Sequence, residues 1–202
     1  MKRIALLALL ALALPLAAFA GNIDFNNTGG TLAGSSAGLT LTGSALTGTT
    51  IGSGTCSTAV PCGSVSFTTG ALMSGDTVNG GTFAPGGTFT IVGNGTAGLP
   101  NGAIFTGMFS GPTSWSHTGT IGVDGTIYYI LQGQISGTYN GTTVTGATVQ
   151  LTFNTGTAGF QGSVGLGSGD TVITTVPEPG TLGLLGTGMV GLAGVIRKKL
   201  KA

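Results

Sequence analysis

The middle of the chain consists of short runs of alternating apolar and polar residues separated by glycine-containing turns. Residues 148–153 place Val149, Leu151 and Phe153 on one face of a strand, and residues 134–139 place Ile135 and Tyr139 on one face in the same way. Asn140-Gly141, between two such runs, is the strongest two-residue signal for a β-hairpin. No amphipathic helical pattern occurs between residues 21 and 176. The pattern predicts an all-β body built as an antiparallel β-sandwich or jelly roll, with a β-solenoid as the alternative.

Charge is distributed unevenly along the chain. All six basic residues lie at the two ends, and residues 21–176 contain no Lys or Arg. The acidic residues of this stretch are four aspartates: Asp24, Asp76, Asp124 and Asp170. A body without a cation cannot attract a phosphate backbone, which excludes nucleic acid as a partner. Its length suits one domain, and we expect a single β-rich body over residues 21–175.

Residues 1–20 have the pattern of a secretory signal peptide. Lys2 and Arg3 form a positive start, residues 4–16 are apolar, and Ala18-Phe19-Ala20 is a cleavage site with small residues at its first and third positions. The alternative is an uncleaved membrane anchor, but the apolar stretch is short for a bilayer. We expect export through the Sec translocon and removal of residues 1–20 by signal peptidase, with Ala18 and Ala20 read at the cleavage site.

The other end of the chain contains a second membrane-directed signal. Pro177-Glu178-Pro179 precedes an apolar stretch over residues 181–196, which is followed by the basic cluster Arg197, Lys198 and Lys199. The apolar stretch predicts a transmembrane helix, somewhat short for a bilayer core. The basic cluster predicts a cytoplasmic end, so the body lies outside the membrane. A permanent C-terminal anchor is the alternative to a tail that is removed.

Residues 176–202 closely resemble the PEP-CTERM sorting signal, a segment also described as an ice-binding protein C-terminal domain. The resemblance implies recognition by an exosortase, a membrane-embedded cysteine peptidase or transpeptidase of Gram-negative bacteria that often make exopolysaccharide. It assigns Pro177, Glu178 and Pro179 to recognition and Arg197, Lys198 and Lys199 to stop-transfer. The precursor would be membrane-anchored and its product would reach the cell surface or the extracellular matrix. The resemblance does not extend to the body.

Cys56 and Cys62 are the two cysteines of the chain and are separated by five residues. In an exported protein, a pair this close predicts a disulfide that closes a small loop. Such a short loop constrains little of the unfolded chain, so the bond fixes a local shape more than it stabilises the fold. A redox-active pair would favour the C-x-x-C spacing, which is absent here.

Few residues of the body suit catalysis or metal binding. Ser36 lies in a G-x-S-x-G pattern, but a strand pattern follows it where a nucleophile elbow requires a helix. His117 is the only histidine, and the aspartates lack the local density of a calcium loop, although a calcium site assembled from distant loops stays open. The sequence therefore predicts no enzyme, no cofactor and no metal site.

The remaining functional alternatives are binding activities. Trp115, Tyr128 and Tyr129 would stack on sugars if they were exposed, which makes exopolysaccharide a candidate partner and a carbohydrate-binding or adhesive module the main alternative to a structural matrix protein. Aromatic residues more often fill a β-core. Ice binding would need regular rows of Thr, and the Thr-x-Thr pairs of this sequence lack a fixed spacing. The pentapeptide Ser-Gly-Asp-Thr-Val occurs around both Asp76 and Asp170, without a repeat period to connect the copies.

Overall fold

The computed structural model describes residues 21–175, and residues 22–174 form a compact unit. This part of the chain holds twelve strands and one three-residue 3-10 helix, Gly156–Ala158. The strands are β1 (Gly21–Thr28), β2 (Thr31–Ser35), β3 (Gly38–Thr49), β4 (Gly63–Thr68), β5 (Leu72–Asp76), β6 (Gly80–Phe83), β7 (Gly86–Asn94), β8 (Asn101–Phe109), β9 (Thr113–Thr118), β10 (Tyr128–Tyr139), β11 (Thr142–Asn154) and β12 (Ser163–Thr175). The predicted all-β, antiparallel class is confirmed.

The strands form one sheet that closes on itself, which differs from the two packed sheets expected from the sequence. The ring runs β2, β3, β4, β7, β8, β10, β11 and β12, and β12 pairs again with β2. The physical reason lies in the length of β10. It pairs with β11 along its whole length, while its other edge is shared by β9 and then β8. Strand β10, which is long and bends where its register shifts, therefore connects β8 and β11 in one sheet, whereas a sandwich would place its strands in two separate sheets.

The buried core contains both aliphatic and aromatic side chains, and ten of its members are aromatic. The phenylalanines of β4, β7 and β8 pack in stacked and edge-to-face pairs with ring centroids 5.6 to 6.1 Å apart. Trp115 stacks on Tyr129 at 4.8 Å, and Phe160 meets Trp115 edge-on at 5.5 Å. Burying each such side chain stabilises the fold by about 1.5–3 kcal/mol. Because side chains fill the interior of the ring, the inner face of the sheet is buried in the core and a ligand could bind only to the outer face.

The hairpin of β5 and β6 extends the sheet beyond the ring. β6 pairs with the edge of β9 that faces away from β10. Two side chains of the core hold the turn of this hairpin, because Trp115 Nε1 donates to the carbonyl of Thr77 at 2.9 Å and the Tyr129 hydroxyl donates to the carbonyl of Val78. The hairpin is thus attached to the part of the core formed by Trp115 and Tyr129.

Local predictions from the sequence agree closely with the strands. Asn140 and Gly141 form the tight turn between β10 and β11, both with positive φ (44° and 82°), as a two-residue hairpin requires. Val149, Leu151 and Phe153 are buried on one face of β11, as predicted. Residues 128–131 of β10 are paired on both edges, and their side chains alternate between surface and core.

Candidate functional site

An open depression of about 670 Å³ lies on the outer face of the sheet, where β10, β11 and β12 run side by side next to the connection between β8 and β9. We call it the amide groove. Its lining residues are Gly111, Pro112, Gln132, Gly133, Gln134, Thr148, Val149, Gln150, Asp170 and Val172.

A row of polar side chains crosses the strands at this groove. Gln132 of β10 lies opposite Ser114 of β9 on one side and Gln150 of β11 on the other, and Gln150 lies opposite Asp170 of β12. The amide Nε2 of Gln132 donates to Oε1 of Gln150 at 2.8 Å. All four residues are exposed, so the row presents amide, hydroxyl and carboxylate groups to solvent. Residues far apart in sequence become neighbours through the strand register alone.

Asp170 ends the row in an electrostatically unfavourable place. Partial burial raises the pKa of its carboxyl group, and the nearby carboxylate of Asp24 raises that pKa further. The backbone amide of Thr171 opposes the shift by hydrogen bonding. Ionising Asp170 therefore costs free energy in the folded protein.

Asp76, in the other copy of the pentapeptide, has the opposite environment. Its carboxylate accepts hydrogen bonds from the Asn79 side chain (2.9 Å) and from the backbone amides of Val78 and Asn79 (2.7 and 2.6 Å). These bonds, the Asn79 side chain first, lower the pKa of Asp76. The two copies differ in structure as well, because Asp76 ends β5 at a turn and Asp170 lies within β12.

The two aspartates should therefore affect stability with opposite signs. Asp170→Asn is expected to raise the melting temperature at pH 7, where the wild-type carboxyl is ionised against its surroundings. The gain should disappear as pH falls below the ordinary carboxyl range, where both states are protonated. Asp76→Asn is expected to lower the melting temperature at pH 7, because the favoured carboxylate is lost. That deficit should shrink as pH falls through the lowered folded pKa of Asp76.

Thermal unfolding of both variants and wild type, followed by circular dichroism between pH 2.5 and 8, measures these differences. Asp124→Asn serves as the matched control, since it removes a carboxylate of the same body at another turn. Equal signs for Asp76→Asn and Asp170→Asn at pH 7 would contradict the assignment of the two environments.

The three aromatic residues considered for sugar stacking divide into two groups. Trp115 and Tyr129 are buried in the core, with 1% and 0% of their surface exposed. They are structural, as the usual preference of aromatic residues for a β-core suggests. Tyr128 is 45% exposed on the outer face of β10. Of the three, only Tyr128 can contact an external ligand.

The candidate catalytic residues do not form a triad. Ser36 lies in the turn between β2 and β3, and the strand predicted after it is confirmed. His117 lies opposite Tyr129 in the pairing of β9 and β10, and its Nδ1 atom is buried without a hydrogen-bond partner among the described residues. A triad needs a carboxylate on that nitrogen to orient the ring. Within residues 21–175, no three His, Cys, Asp or Glu side chains come together as a metal site would require.

Threonine rows on the outer face were not evident from the sequence. Thr90 of β7, Thr106 of β8 and Thr138 of β10 lie directly opposite one another, and the row continues to Thr143 of β11. In a neighbouring row, the hydroxyls of Thr68 and Thr88 are 3.1 Å apart. A row of threonines therefore does not require a fixed spacing along the chain, because the register between neighbouring strands brings the residues into line.

Cys56 and Cys62 form the disulfide predicted from the sequence, with Cα atoms 5.4 Å apart. The bond closes a loop between β3 and β4, and Cys62 itself is buried beside the core. This places the bond at the edge of the ring, where it fixes the return of the chain into β4.

The residues expected to direct export lie outside the described residues. They are Ala18 and Ala20 at the predicted signal cleavage site, Pro177, Glu178 and Pro179 of the sorting motif, and Arg197, Lys198 and Lys199 of the basic cluster. The predicted transmembrane helix over residues 181–196 also lies there. Among residues 21–175, no helix is long and apolar enough to cross a membrane.

Comparison with known proteins gives one match. Residues 175–198 match the family model of the PEP-CTERM protein-sorting motif, in the segment where the resemblance was seen. No curated protein and no solved structure matches the chain. The motif marks proteins that are exported and sorted by an exosortase. The chain therefore carries, in its C-terminal segment, the PEP-CTERM sorting signal of an exported protein.

Proposed function

We propose that this chain is a non-catalytic protein of the cell surface or extracellular matrix, processed at Pro177-Glu178-Pro179 by an exosortase-like membrane enzyme. The observation that carries this proposal is the match of residues 175–198 to the sorting motif. Strand β12, the last among residues 21–175, ends at Thr175, where that match begins. A cut after this point would remove no strand of the body, which suits a protein whose tail serves only for sorting.

The chemistry of the segment supports recognition by a peptidase. Pro177 and Pro179 restrict φ and lack amide donors, so they favour an extended backbone, the form in which a peptidase groove takes its substrate. The following apolar residues would hold the motif at the membrane surface, beside a membrane-embedded enzyme. A removable hydrophobic tail after a small, polar site is also the device of glycolipid-anchor signals.

The distribution of charge supports export of the body. Basic residues at both ends favour cytoplasmic ends for the precursor, and the body carries none that would oppose translocation. The Sec translocon and signal peptidase would complete the route, with residues 1–20 removed. The membrane-anchored precursor would then become a surface or extracellular product of a Gram-negative cell.

The absence of catalysis in this proposal is supported by the surroundings of His117. Its Nδ1 atom has no partner among residues 21–175, and its ring packs against Tyr129 with centroids 5.3 Å apart. A general base needs an oriented imidazole within reach of its nucleophile. The packing of the His117 ring against Tyr129 instead supports a structural role for this residue.

Mass spectrometry of the mature protein tests the processing step. In a host with an exosortase, the wild-type product is expected to lack residues 181–202, whereas the variant Pro177→Ala/Pro179→Ala retains them. Pro85→Ala is the matched control, since it removes an exposed proline of the body and should be processed normally. A wild-type product that retains residues 181–202 would show a permanent anchor instead and would overturn the proposal.

A further inference from the structure

We propose that the amide groove binds a neutral, hydroxyl-rich polymer, namely a stretch of uncharged polysaccharide that crosses β10, β11 and β12. This inference rests on the proposed function, because an exported body meets such polymers outside the cell. It assigns a carbohydrate-binding site to the outer face of the sheet, away from the aromatic core.

The groups in the groove suit sugar hydroxyls. Each Gln side chain offers two donors and one acceptor oxygen, and the carboxylate of Asp170 offers acceptors only. A sugar hydroxyl is both donor and acceptor, so it satisfies either kind of group. The bond between Gln132 and Gln150 uses one donor of the first and one oxygen lone pair of the second. Oε1 of Gln132 and the Nε2 hydrogens of Gln150 therefore stay available to a ligand.

The charge of the body selects an uncharged ligand. Residues 21–175 contain four aspartates and no lysine or arginine. Two of the aspartates, Asp170 and Asp24, are close enough for their charges to interact at the end of the polar row. A polymer that carries carboxylate, sulfate or phosphate groups would meet repulsion and no cation there.

The shape of the groove suits an extended chain. Neighbouring strands are about 4.8 Å apart, so the row from Gln132 through Gln150 to Asp170 spans about 10 Å of the groove, and Ser114, just outside the lining, extends it to about 14 Å, the length of a short oligosaccharide. The groove is open, and a longer polymer could continue past both ends. Tyr128 is exposed on the same face of β10, four residues and about 13 Å along the strand from Gln132, and it does not line the groove.

The groove is also preorganised. Its polar side chains stand on paired strands, and the hydrogen bond between Gln132 and Gln150 holds two of them in place before a ligand arrives. Side chains fixed in this way lose little conformational entropy on binding. At Gly111, the nearest atom to an added Cβ would be Oε1 of Gln134, 3.8 Å away. The missing side chain therefore leaves the entrance beside Pro112 open.

Isothermal titration calorimetry tests the site with the full-length chain in a zwitterionic, sugar-free detergent. The probes are cellotetraose, chitotetraose, maltotetraose and mannotetraose, with an alginate tetrasaccharide as the anionic counter-probe. We expect at least one neutral probe to bind and the alginate probe not to bind. Gly111→Phe, which fills the entrance, and Gln132→Ala should each weaken that binding by roughly tenfold or more.

Gln161→Ala is the matched control, because it removes an exposed amide that is not part of the groove, and its affinity should equal that of wild type. Circular dichroism of each variant verifies the fold. The proposal is overturned if no neutral probe binds at millimolar concentration, if Gly111→Phe binds as well as wild type, or if alginate binds more tightly than the neutral probes. The unprocessed chain is used, so none of these results depends on cleavage by the exosortase.

Discussion

Replacing Trp115 by alanine is expected to lower the free energy of unfolding by about 3–5 kcal/mol. The side chain is 1% exposed and stacks on Tyr129, with Phe153 and Phe160 meeting it edge-on at 5.6 and 5.5 Å. Its truncation would leave a cavity between these rings. It would also leave the Thr77 carbonyl, which now accepts from Nε1 at 2.9 Å, without this donor, so that the Tyr129 hydroxyl alone among the core side chains would hold the turn of the β5–β6 hairpin.

Chemical denaturation followed by tyrosine fluorescence and far-ultraviolet circular dichroism measures this loss. Trp115→Phe keeps one aromatic ring in the core but removes the N–H donor together with the second ring of the indole. The difference in stability between Trp115→Phe and Trp115→Ala therefore reports the packing of the retained ring. Tyr128→Ala is the surface control, and we expect it to change stability by less than about 0.5 kcal/mol. Equal stability losses in Trp115→Ala and Tyr128→Ala would show that Trp115 does not belong to the core.

The parts of the fold that follow from adjacent residues could be predicted from the sequence. Asn140 and Gly141 tolerate positive φ, so they predict the turn, and the alternation on either side then sets which side chains of β10 and β11 are buried. The closure of the sheet could not be predicted in the same way. It depends on the pairing of β12 with β2, whose residues lie more than 120 positions apart. Strand alternation is the same in a sandwich and in a closed sheet.

The same distinction separates the two functional segments. The sorting signal is a contiguous motif, so it can be recognised without any structure. The amide groove depends on the register that places Gln132 beside Gln150 and Gln150 beside Asp170. In the sequence, the only sign of the groove is that each of these residues occupies a polar, outward position in its strand. The pentapeptide around Asp76 and Asp170 shows that identical residues can adopt different structures, since the first copy runs from the end of β5 into a turn and the second lies entirely within β12.

Many glycines mark turns in this chain, but Gly137 has a different role. It lies within β10 and is paired with Gly107 of β8, at the seam where these strands meet in the ring. A Cβ atom at Gly137 would lie 2.5 Å from the Cα of Gly107 and 2.8 Å from the carbonyl carbon of Thr106. Both are backbone atoms, which cannot rotate away as a flexible side chain can. The absence of a side chain thus permits the close approach that joins β8 to β10.

Gly137→Val is therefore expected to lower the free energy of unfolding by about 2–3 kcal/mol, through forced separation of the two backbones. Hydrogen exchange should show weaker protection of the β8 and β10 amides at this seam, with less change in the pairing of β2 with β3. Gly125→Ala is the matched control, since a Cβ there has no neighbour within 4 Å, and its stability should match or slightly exceed that of wild type. Equal free energies of unfolding for Gly137→Val and Gly125→Ala would mean that a side chain fits between β8 and β10 at residue 137. The two backbones would then not approach as closely as the pairing of Gly137 with Gly107 requires.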